Sequence, residues 1–194
     1  MLTGGGTKTV PPLKTKRLIL QGITSEDADR IVRWRSDRSV YRYFQAPHKL
    51  SKEEHMAWYE NKYVTDDDRF QWVGIRKDTG EKIGVFGVKR DRIIRQEAEI
   101  SYLLDKQSRR FGFAGEAVQR IMEWCMDHGM TSLKAMVHEE NEDSIRFIER
   151  MGFCKNGQSG CFILYRKQNL ARGGYGTYRI AGRIFGMDPC QAAA

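Results

Sequence analysis

The chain has no long apolar run and no recognisable export signal. None of its 194 residues lies in a stretch approaching the roughly 20 consecutive apolar residues that a membrane-spanning helix needs. The first residues, MLTGGGTKTVPPLK, carry lysines but no apolar segment of the kind found in secretory signals. We therefore expect no membrane association and a cytoplasmic location.

Common metal-binding patterns are also missing from the sequence. The four cysteines and four histidines form no C-x-x-C pair and no H-E-x-x-H helix motif, which are frequent signatures of zinc sites. We therefore expect a protein without a metal centre. With 40% apolar and 30% charged residues, the composition is that of an ordinary globular domain rather than of a disordered chain.

The net charge of +8 is concentrated at the two ends of the chain. Residues 1–16 hold three lysines and no acid, and residues 167–194 hold four cations and one acid, so the body is close to neutral. A broad nucleic-acid-binding face is therefore not expected. The last segment mixes arginine, glycine and aromatics, which suits either RNA binding or a simple tail. We favour a flexible leader (1–12), one domain (13–167) and a basic glycine- and aromatic-containing tail (168–194).

Hydrophobic periodicity predicts an alternation of strands and helices. The predicted helices begin at or near Ser25, Ser51, Ala114 and Asn141, with Ser25 acting as the N-cap of the first. The predicted strands cover 17–23, 70–76, 82–89, 98–104, 132–137, 153–155 and 161–166. The regular alternation of both elements in the second half indicates a mixed α/β sheet.

One segment has the pattern of an anion-binding turn. Between the strand ending at Leu104 and the helix starting near Ala114 lies DKQSRRFGF. A glycine turn into a helix leaves backbone N–H groups unpaired, and the positive end of the helix dipole reinforces them, so phosphate binds well there. The segment is neither a Walker loop nor a good dinucleotide-binding fingerprint. An ordinary strand-to-helix turn is the alternative interpretation.

Arg109-Arg110-Phe111-Gly112-Phe113-Ala114 resembles the R/Q-x-x-G-x-G/A motif of the GCN5-related N-acetyltransferases, called GNAT enzymes. Three further segments resemble the branch that contains the ribosomal-protein N-terminal acetyltransferases. They are the opening strand 13–20, the central strand 98–104 and the N-x-x-S-x-x-x-x-x-x-x-G-F helix 141–153. Together these segments cover 13–166 in the order typical of that branch.

The resemblance implies a fold and a cosubstrate. The fold would be the GNAT fold, a mixed and mostly antiparallel central sheet of six to seven strands flanked by about four helices. The cosubstrate would be acetyl-CoA, with no metal. Backbone amides of the motif would hold its pyrophosphate, at Arg109, Arg110, Phe111, Gly112, Phe113 and Ala114. A backbone N–H of Leu103 or Leu104 would stabilise the reaction oxyanion, and Asn141 would either bind the pantetheine arm or merely cap its helix.

Two positions depart from the family pattern. The second position of the loop is often glycine and here is Arg110, which either contacts a CoA phosphate or crowds the loop. Many family members have a tyrosine acting as general acid where this chain has Ile148, and an isoleucine has no proton to donate. Ser144 is the matching hydroxyl in the ribosomal-type branch, although a small polar residue near a helix start can also be purely structural.

The expected chemistry needs a base, because an alkyl amine has a pKa near 10 and is mostly protonated at pH 7. Period-two alternation places Glu97, Glu99 and Ser101 on one face of the predicted central strand. Glu99 occupies the family position beside the cleft and is our preferred base, acting directly or through a water. A solvated edge glutamate is the alternative.

The acceptor site is expected between the first two helices, at Trp34, Arg35, Tyr43, Phe44 and His55. These residues are similar to those of nucleotide-sugar N-acetyltransferases of pseudaminic acid biosynthesis, although they also suit a peptide or the protein core. We expect transfer to a small amine such as an amino sugar. The alternatives are a protein N-terminus, or a catalytically weak module that binds CoA or RNA. The sequence leaves the oligomeric state open, a homodimer included.

Overall fold

The structure is a computed structural model and describes residues 8–168. The strands are β1 Leu13–Lys14, β2 Leu18–Gly22, β3 Arg69–Arg76, β4 Lys82–Arg90, β5 Glu97–Leu104, β6 Ser132–His138, β7 Cys154–Ser159 and β8 Phe162–Lys167. The α-helices are α1 Ala28–Arg35, α2 Arg38–Tyr41, α3 Lys52–Trp58, α4 Phe113–Asp127 and α5 Glu142–Arg150. No helix within 8–168 is long and apolar enough to cross a membrane.

All eight strands form a single sheet in the order β1-β2-β3-β4-β5-β6-β8-β7. Every neighbouring pair is antiparallel except β5 and β6, which are parallel and connected through α4. The expectation of a mixed, mostly antiparallel α/β sheet is confirmed. The additional strand is the two-residue β1, which is too short to produce an alternating pattern in the sequence.

Strands β5 and β6 separate soon after they meet. Their register covers only the residue pairs from Glu97 with Ser132 to Glu99 with Lys134. On its other edge, β5 continues to pair with β4 as far as Leu104 opposite Gly84. The second half of β5 therefore lies at an opening in the sheet.

Helix α4 packs on the sheet through large aromatic side chains. Trp124 lies 5.2 Å from Trp72 and 4.7 Å from Phe70, measured between ring centroids. Trp72 is fully buried and stands opposite Phe86 in the sheet. Edge-on aromatic contacts of this kind add about 0.5–1.5 kcal/mol each beyond the burial of their area. They hold the C-terminal part of α4 against β3.

The helix ends follow capping rules, with one difference from the sequence prediction. Thr24 caps the first helical segment instead of Ser25, because its backbone N–H donates to the Asp27 carboxylate at 2.9 Å in a capping box. The two adjacent hydroxyl residues are equivalent by composition, and only the carboxylate three residues after Thr24 selects between them. Ser51 and Asn141 cap α3 and α5 at the predicted starts of those helices, and for Asn141 this is one of the two roles left open by the sequence.

Residues 8–12 belong to the folded domain rather than to a flexible leader. Val10 is buried, and the Trp72 indole donates a hydrogen bond to the Pro11 carbonyl at 2.9 Å. Lys8 lies over the Tyr63 ring. These contacts extend to the N-terminal side of the boundary expected at residue 12. The expected tail 168–194 lies outside the described residues apart from its first position.

Candidate active site

A cleft of about 1180 Å³ opens where β5 and β6 separate. Its walls come from the end of β5, the start of α4, one side of α5 along its length and the segment that includes α2 and the following turn. Most of the predicted site residues line it, namely Tyr43, Phe44, Leu103, Leu104, Arg109, Arg110, Gly112, Phe113, Ala114, Asn141 and Ser144. Residues from four separate elements of the sequence prediction thus meet in one cavity.

Five predicted residues are not part of the cleft lining. Trp34 and His55 are buried, with exposed fractions of 5% and 2%. Phe111 is largely exposed and packs near Phe113. Arg35 and Glu99 are half-buried and lie outside the walls. Trp34 and His55 lie in α1 and α3, whereas Tyr43 and Phe44 lie in the turn after α2. Residue type alone does not separate the buried rings from those that face the cleft.

The turn before α4 has the geometry of an anion site. Gly112 caps the helix in the left-handed region, with φ of +80°. The N–H groups of Phe113, Ala114 and Gly115 are in the first turn, where no intrahelical acceptor exists for them. The helix is 15 residues long, so its dipole favours negative charge at this end.

Glu116 is the one acidic residue in the first turn of α4, and it is held by the loop between β1 and β2. Its carboxylate accepts hydrogen bonds from the Thr15 hydroxyl, the Arg17 backbone N–H at 2.6 Å and the Arg17 Nε at 2.7 Å. Burial alone would raise the pKa of Glu116, but these bonds outweigh it and hold the pKa below its ordinary value. The ion pair with Arg17 offsets the negative charge beside the turn.

Arg110 adopts a backbone conformation that is unusual for its type. Its φ is +68°, and it is the only non-glycine residue with positive φ in the described part of the chain. A left-handed conformation costs roughly 1–2 kcal/mol for a residue with a Cβ. Arg110 is therefore accommodated with strain.

Helix α5 contributes a cap and a hydroxyl to the cleft. The Asn141 side-chain oxygen accepts from the Ser144 backbone N–H at 3.2 Å, so the amide oxygen serves as the helix cap. The Ser144 Oγ lies 2.7 Å from the Tyr102 hydroxyl of β5. Burial raises the pKa of Tyr102 to about 12, so this phenol is protonated at neutral pH.

Sequence reasoning missed Tyr102 as a site residue. It lies within the predicted central strand, and it lines the cleft. Period-two alternation puts it on the opposite face from Glu99, where its ring packs edge-on against Phe147 at 4.7 Å. The alternation could have identified the face, but the contact with Ser144, 42 residues away, has no local signal.

Glu99 is the last residue of β5 that pairs with β6. Its neighbours in the sheet are Lys89 of β4 and Lys134 of β6. Glu97, two residues earlier on the same face, is buried and is paired with Arg166 at 2.7 Å and with Lys134 at 3.6 Å. Glu97 therefore has a structural role, whereas the half-buried Glu99 lies at the point where the two strands begin to separate.

Arginine and aromatic side chains are stacked in and around the segment after α2. The Arg42 guanidinium lies 4.4 Å from the Tyr43 ring centroid, and that of Arg35 lies 5.0 Å from the Phe44 centroid. Burial lowers the pKa of Arg35. Tyr43 also contacts the His138 ring of β6 at 5.6 Å. The segment after α2 is thereby fixed across the cleft from the start of α4.

His55 is enclosed by its surroundings. Burial lowers its pKa, and neither ring nitrogen has a hydrogen-bond partner in the described part of the chain. The ring stacks on Trp58 at 5.6 Å. Among residues 8–168, no group of three or more His, Cys, Asp or Glu side chains is placed to hold a metal ion.

The strain at Arg110 can be measured with a pair of substitutions. Arg110→Gly and Arg110→Ala both remove the side chain, but only glycine relieves the left-handed backbone. We expect the glycine variant to be about 1 kcal/mol more stable than the alanine variant, as measured by urea unfolding. Equal unfolding midpoints would show that the turn carries no strain.

Comparison with known proteins assigns the chain to a family. The acetyltransferase (GNAT) domain matches residues 17–154. The uncharacterized N-acetyltransferase YoaA of Bacillus subtilis (strain 168) is 31% identical over 150 residues, which cover 76% of this chain and 85% of YoaA.

Two solved structures have the same fold. Ribosomal-protein-S5-alanine acetyltransferase from Vibrio fischeri has a TM-score of 0.66 and 18% identity, over 82% of this chain and 97% of that structure. Apo FdhC, a nucleotide-linked sugar GNAT, has a TM-score of 0.69 and 17% identity, over 81% and 89% respectively. The cleft, the glycine turn and the sequence match agree, and the chain belongs to the GNAT family of acetyltransferases.

Proposed function

We propose that the chain transfers the acetyl group of acetyl-CoA to a primary amine by direct attack within a ternary complex. The observation that carries this proposal is the position of the α4 N-terminus, which shares one cleft with the separated end of β5. The turn can bind phosphate, and the backbone of β5 beside it is no longer paired with β6. This combination suits a ligand with a pyrophosphate and an extended amide-containing arm.

In this proposal two structural elements bind different parts of acetyl-CoA. The turn from Arg109 to Ala114 binds the pyrophosphate through backbone N–H groups. The edge of β5 at Leu103 and Leu104 binds the pantetheine arm as an additional strand would, and one of its N–H groups stabilises the oxyanion. The Arg109 side chain donates to the Leu104 carbonyl at 3.2 Å, which ties the two binding elements together.

We assign Glu99 the role of base. It lies outside the cleft walls but at the point where β5 and β6 begin to separate, so in this proposal an amine in the cleft reaches it at that edge, directly or through a water. A general base makes the neutral amine available although most of the amine is protonated at pH 7. Neighbouring Lys134 is held by Asp91 at 2.8 Å, which leaves Glu99 outside that ion pair.

The acceptor we favour is an amino sugar linked to a nucleotide. The argument rests on the stacked pairs Arg42 with Tyr43 and Arg35 with Phe44. An aromatic ring stacks on a nucleobase, and a guanidinium binds a diphosphate through paired hydrogen bonds. Tyr43, Phe44 and Arg42 line the cleft, so both features are available to one ligand.

Binding of acetyl-CoA at the α4 turn is tested by thermal unfolding with two valine substitutions. A ligand that binds only the folded state stabilises it by about 2.7 kcal/mol at roughly 100 times its Kd. Gly112→Val and Gly129→Val both place a β-branched residue at a positive φ, at opposite ends of α4. Both variants should lose stability, but only Gly112→Val should lose the rise in Tm with acetyl-CoA. A retained rise in that variant would locate the binding site elsewhere.

The role of Glu99 is tested by its dependence on pH. Removing a general base typically lowers the rate by about 10²- to 10⁴-fold. We expect that loss in kcat for Glu99→Gln at pH 7, with acetyl-CoA affinity unchanged. The loss should shrink as the pH approaches the acceptor pKa near 10, because the amine then deprotonates without help. Glu123→Gln, on the far part of α4, is the control. An unaltered kcat for Glu99→Gln at pH 7 would exclude Glu99 as the base.

The acceptor class is tested by acetyl transfer to three amines. They are a UDP-linked amino sugar, the same amino sugar without the nucleotide, and a peptide with a free N-terminus. We expect the nucleotide-linked acceptor to have the highest kcat/KM. Arg42→Ala should raise its KM roughly tenfold, as the loss of a cation contact of about 1.4 kcal/mol implies, without affecting the free sugar.

Arg38→Ala, on the exposed side of α2, is the matched control for Arg42→Ala. A preference for the peptide would instead favour a protein N-terminal acetyltransferase. Stabilisation by acetyl-CoA without turnover of any amine would favour a CoA-binding module.

A further inference from the structure

The hydroxyl groups of Tyr102 and Ser144 form a pair in the cleft wall. Tyr102 comes from β5 and Ser144 from the first turn of α5, and their oxygen atoms are 2.7 Å apart. Both residues line the cleft. The Tyr102 ring is fixed by its edge-on contact with Phe147, so the geometry of the pair does not depend on a mobile side chain.

One hydroxyl proton of the pair is not used in the hydrogen bond between Tyr102 and Ser144. Each hydroxyl can donate one hydrogen bond, and the bond between the two oxygens consumes one of the two protons. The Ser144 backbone carbonyl is also near the Tyr102 hydroxyl, but at 3.5 Å it is too distant for a good O–H hydrogen bond. When the more acidic phenol donates to Ser144, the serine proton is left for a ligand in the cleft.

The proposed reaction requires a hydrogen-bond donor for the departing sulfur, and the Ser144 hydroxyl can provide it. Ile148, which is fully buried, cannot supply a proton or a hydrogen bond. The departing group is a thiolate with a pKa of about 8.5, which requires a hydrogen bond during departure rather than a strong acid. A neutral hydroxyl held in a fixed orientation provides such a bond.

We propose that Tyr102 is a positioning residue that donates to the Ser144 Oγ and so directs the Ser144 O–H toward the sulfur of the departing CoA. The inference rests on the proposed function. The amine nitrogen bonds to the carbonyl carbon, the C–S bond breaks and its electron pair stays on sulfur. The amine proton goes to Glu99, Ser144 keeps its proton while donating the hydrogen bond, and the thiolate is protonated later by water.

The test compares CoA with desulfo-CoA, which has no sulfur to accept a hydrogen bond. Binding is measured by calorimetry at pH 8.5, where about half of the free thiol is ionised. One hydrogen bond of about 0.5–1.5 kcal/mol corresponds to a preference for CoA of roughly 2- to 12-fold. We expect this preference in the unsubstituted chain and its loss in both Tyr102→Phe and Ser144→Ala. A preference that survives Tyr102→Phe, or that is absent from the unsubstituted chain, would overturn the proposal.

Kinetics provide the second measurement. Tyr102→Phe and Ser144→Ala should each lower kcat with the KM for acetyl-CoA unchanged. The double variant should be no slower than the slower single variant, because both changes remove the same hydrogen bond. Ser144→Thr, which keeps the hydroxyl, should recover most of the rate. Multiplicative losses in the double variant would contradict the proposal.

Tyr165→Phe is the matched control. This buried tyrosine donates to Glu149 at 3.1 Å and lies outside the cleft, so its loss should leave kcat and the CoA preference unchanged. The binding measurement also separates this proposal from the proposed function. If no amine is acetylated but the sulfur preference still depends on Tyr102, the proposed function fails and the hydroxyl pair stands.

Discussion

The separation of β5 from β6 after three residue pairs is the feature on which the site depends. Parallel strands require a crossover, and here the crossover is α4, whose aromatic contacts with β3 hold it against the sheet. Its first turn therefore lies beside the place where the strands part. A continuous β5–β6 ladder would use the same backbone groups for pairing and would close the cleft.

The alternation of side chains along β5 also places two groups with different proposed roles on opposite faces of the strand. Successive side chains of β5 point to opposite faces, so Glu99 and Tyr102 lie on different sides of one strand. The expected proton acceptor is then on one face, and the hydroxyl pair of Tyr102 with Ser144 is on the other. In the proposed reaction the amine adds to the thioester carbonyl and the thiolate leaves afterwards, so removal of the amine proton and stabilisation of the sulfur can be served from different faces of the strand.

Much of this arrangement could be predicted from the sequence, because it depends on local patterns. The period-two strands, the caps at Ser51 and Asn141 and the glycine turn at Gly112 follow from neighbouring residues. The rest depends on distant contacts. Val10 is buried, and the neighbouring Pro11 carbonyl accepts the indole N–H of Trp72, 61 residues away. Neither a proline nor short apolar residues near a terminus indicate these contacts.

The difference between local patterns and distant contacts also decides which site residues the sequence indicates. The turn before α4 is contiguous, so the sequence indicates its residues together, and all of them except Phe111 line one cleft. The aromatics in and between the first helices are ambiguous by residue type, since Trp34 and His55 serve the interior whereas Tyr43 and Phe44, in the turn after α2, face the cavity. The hydrogen bonds of Glu116 can be explained by the charge that this residue places beside the turn. Glu116 in the first turn favours the helix but repels phosphate, and its bonds to Arg17 and Thr15 keep both the helix and the anion site stable.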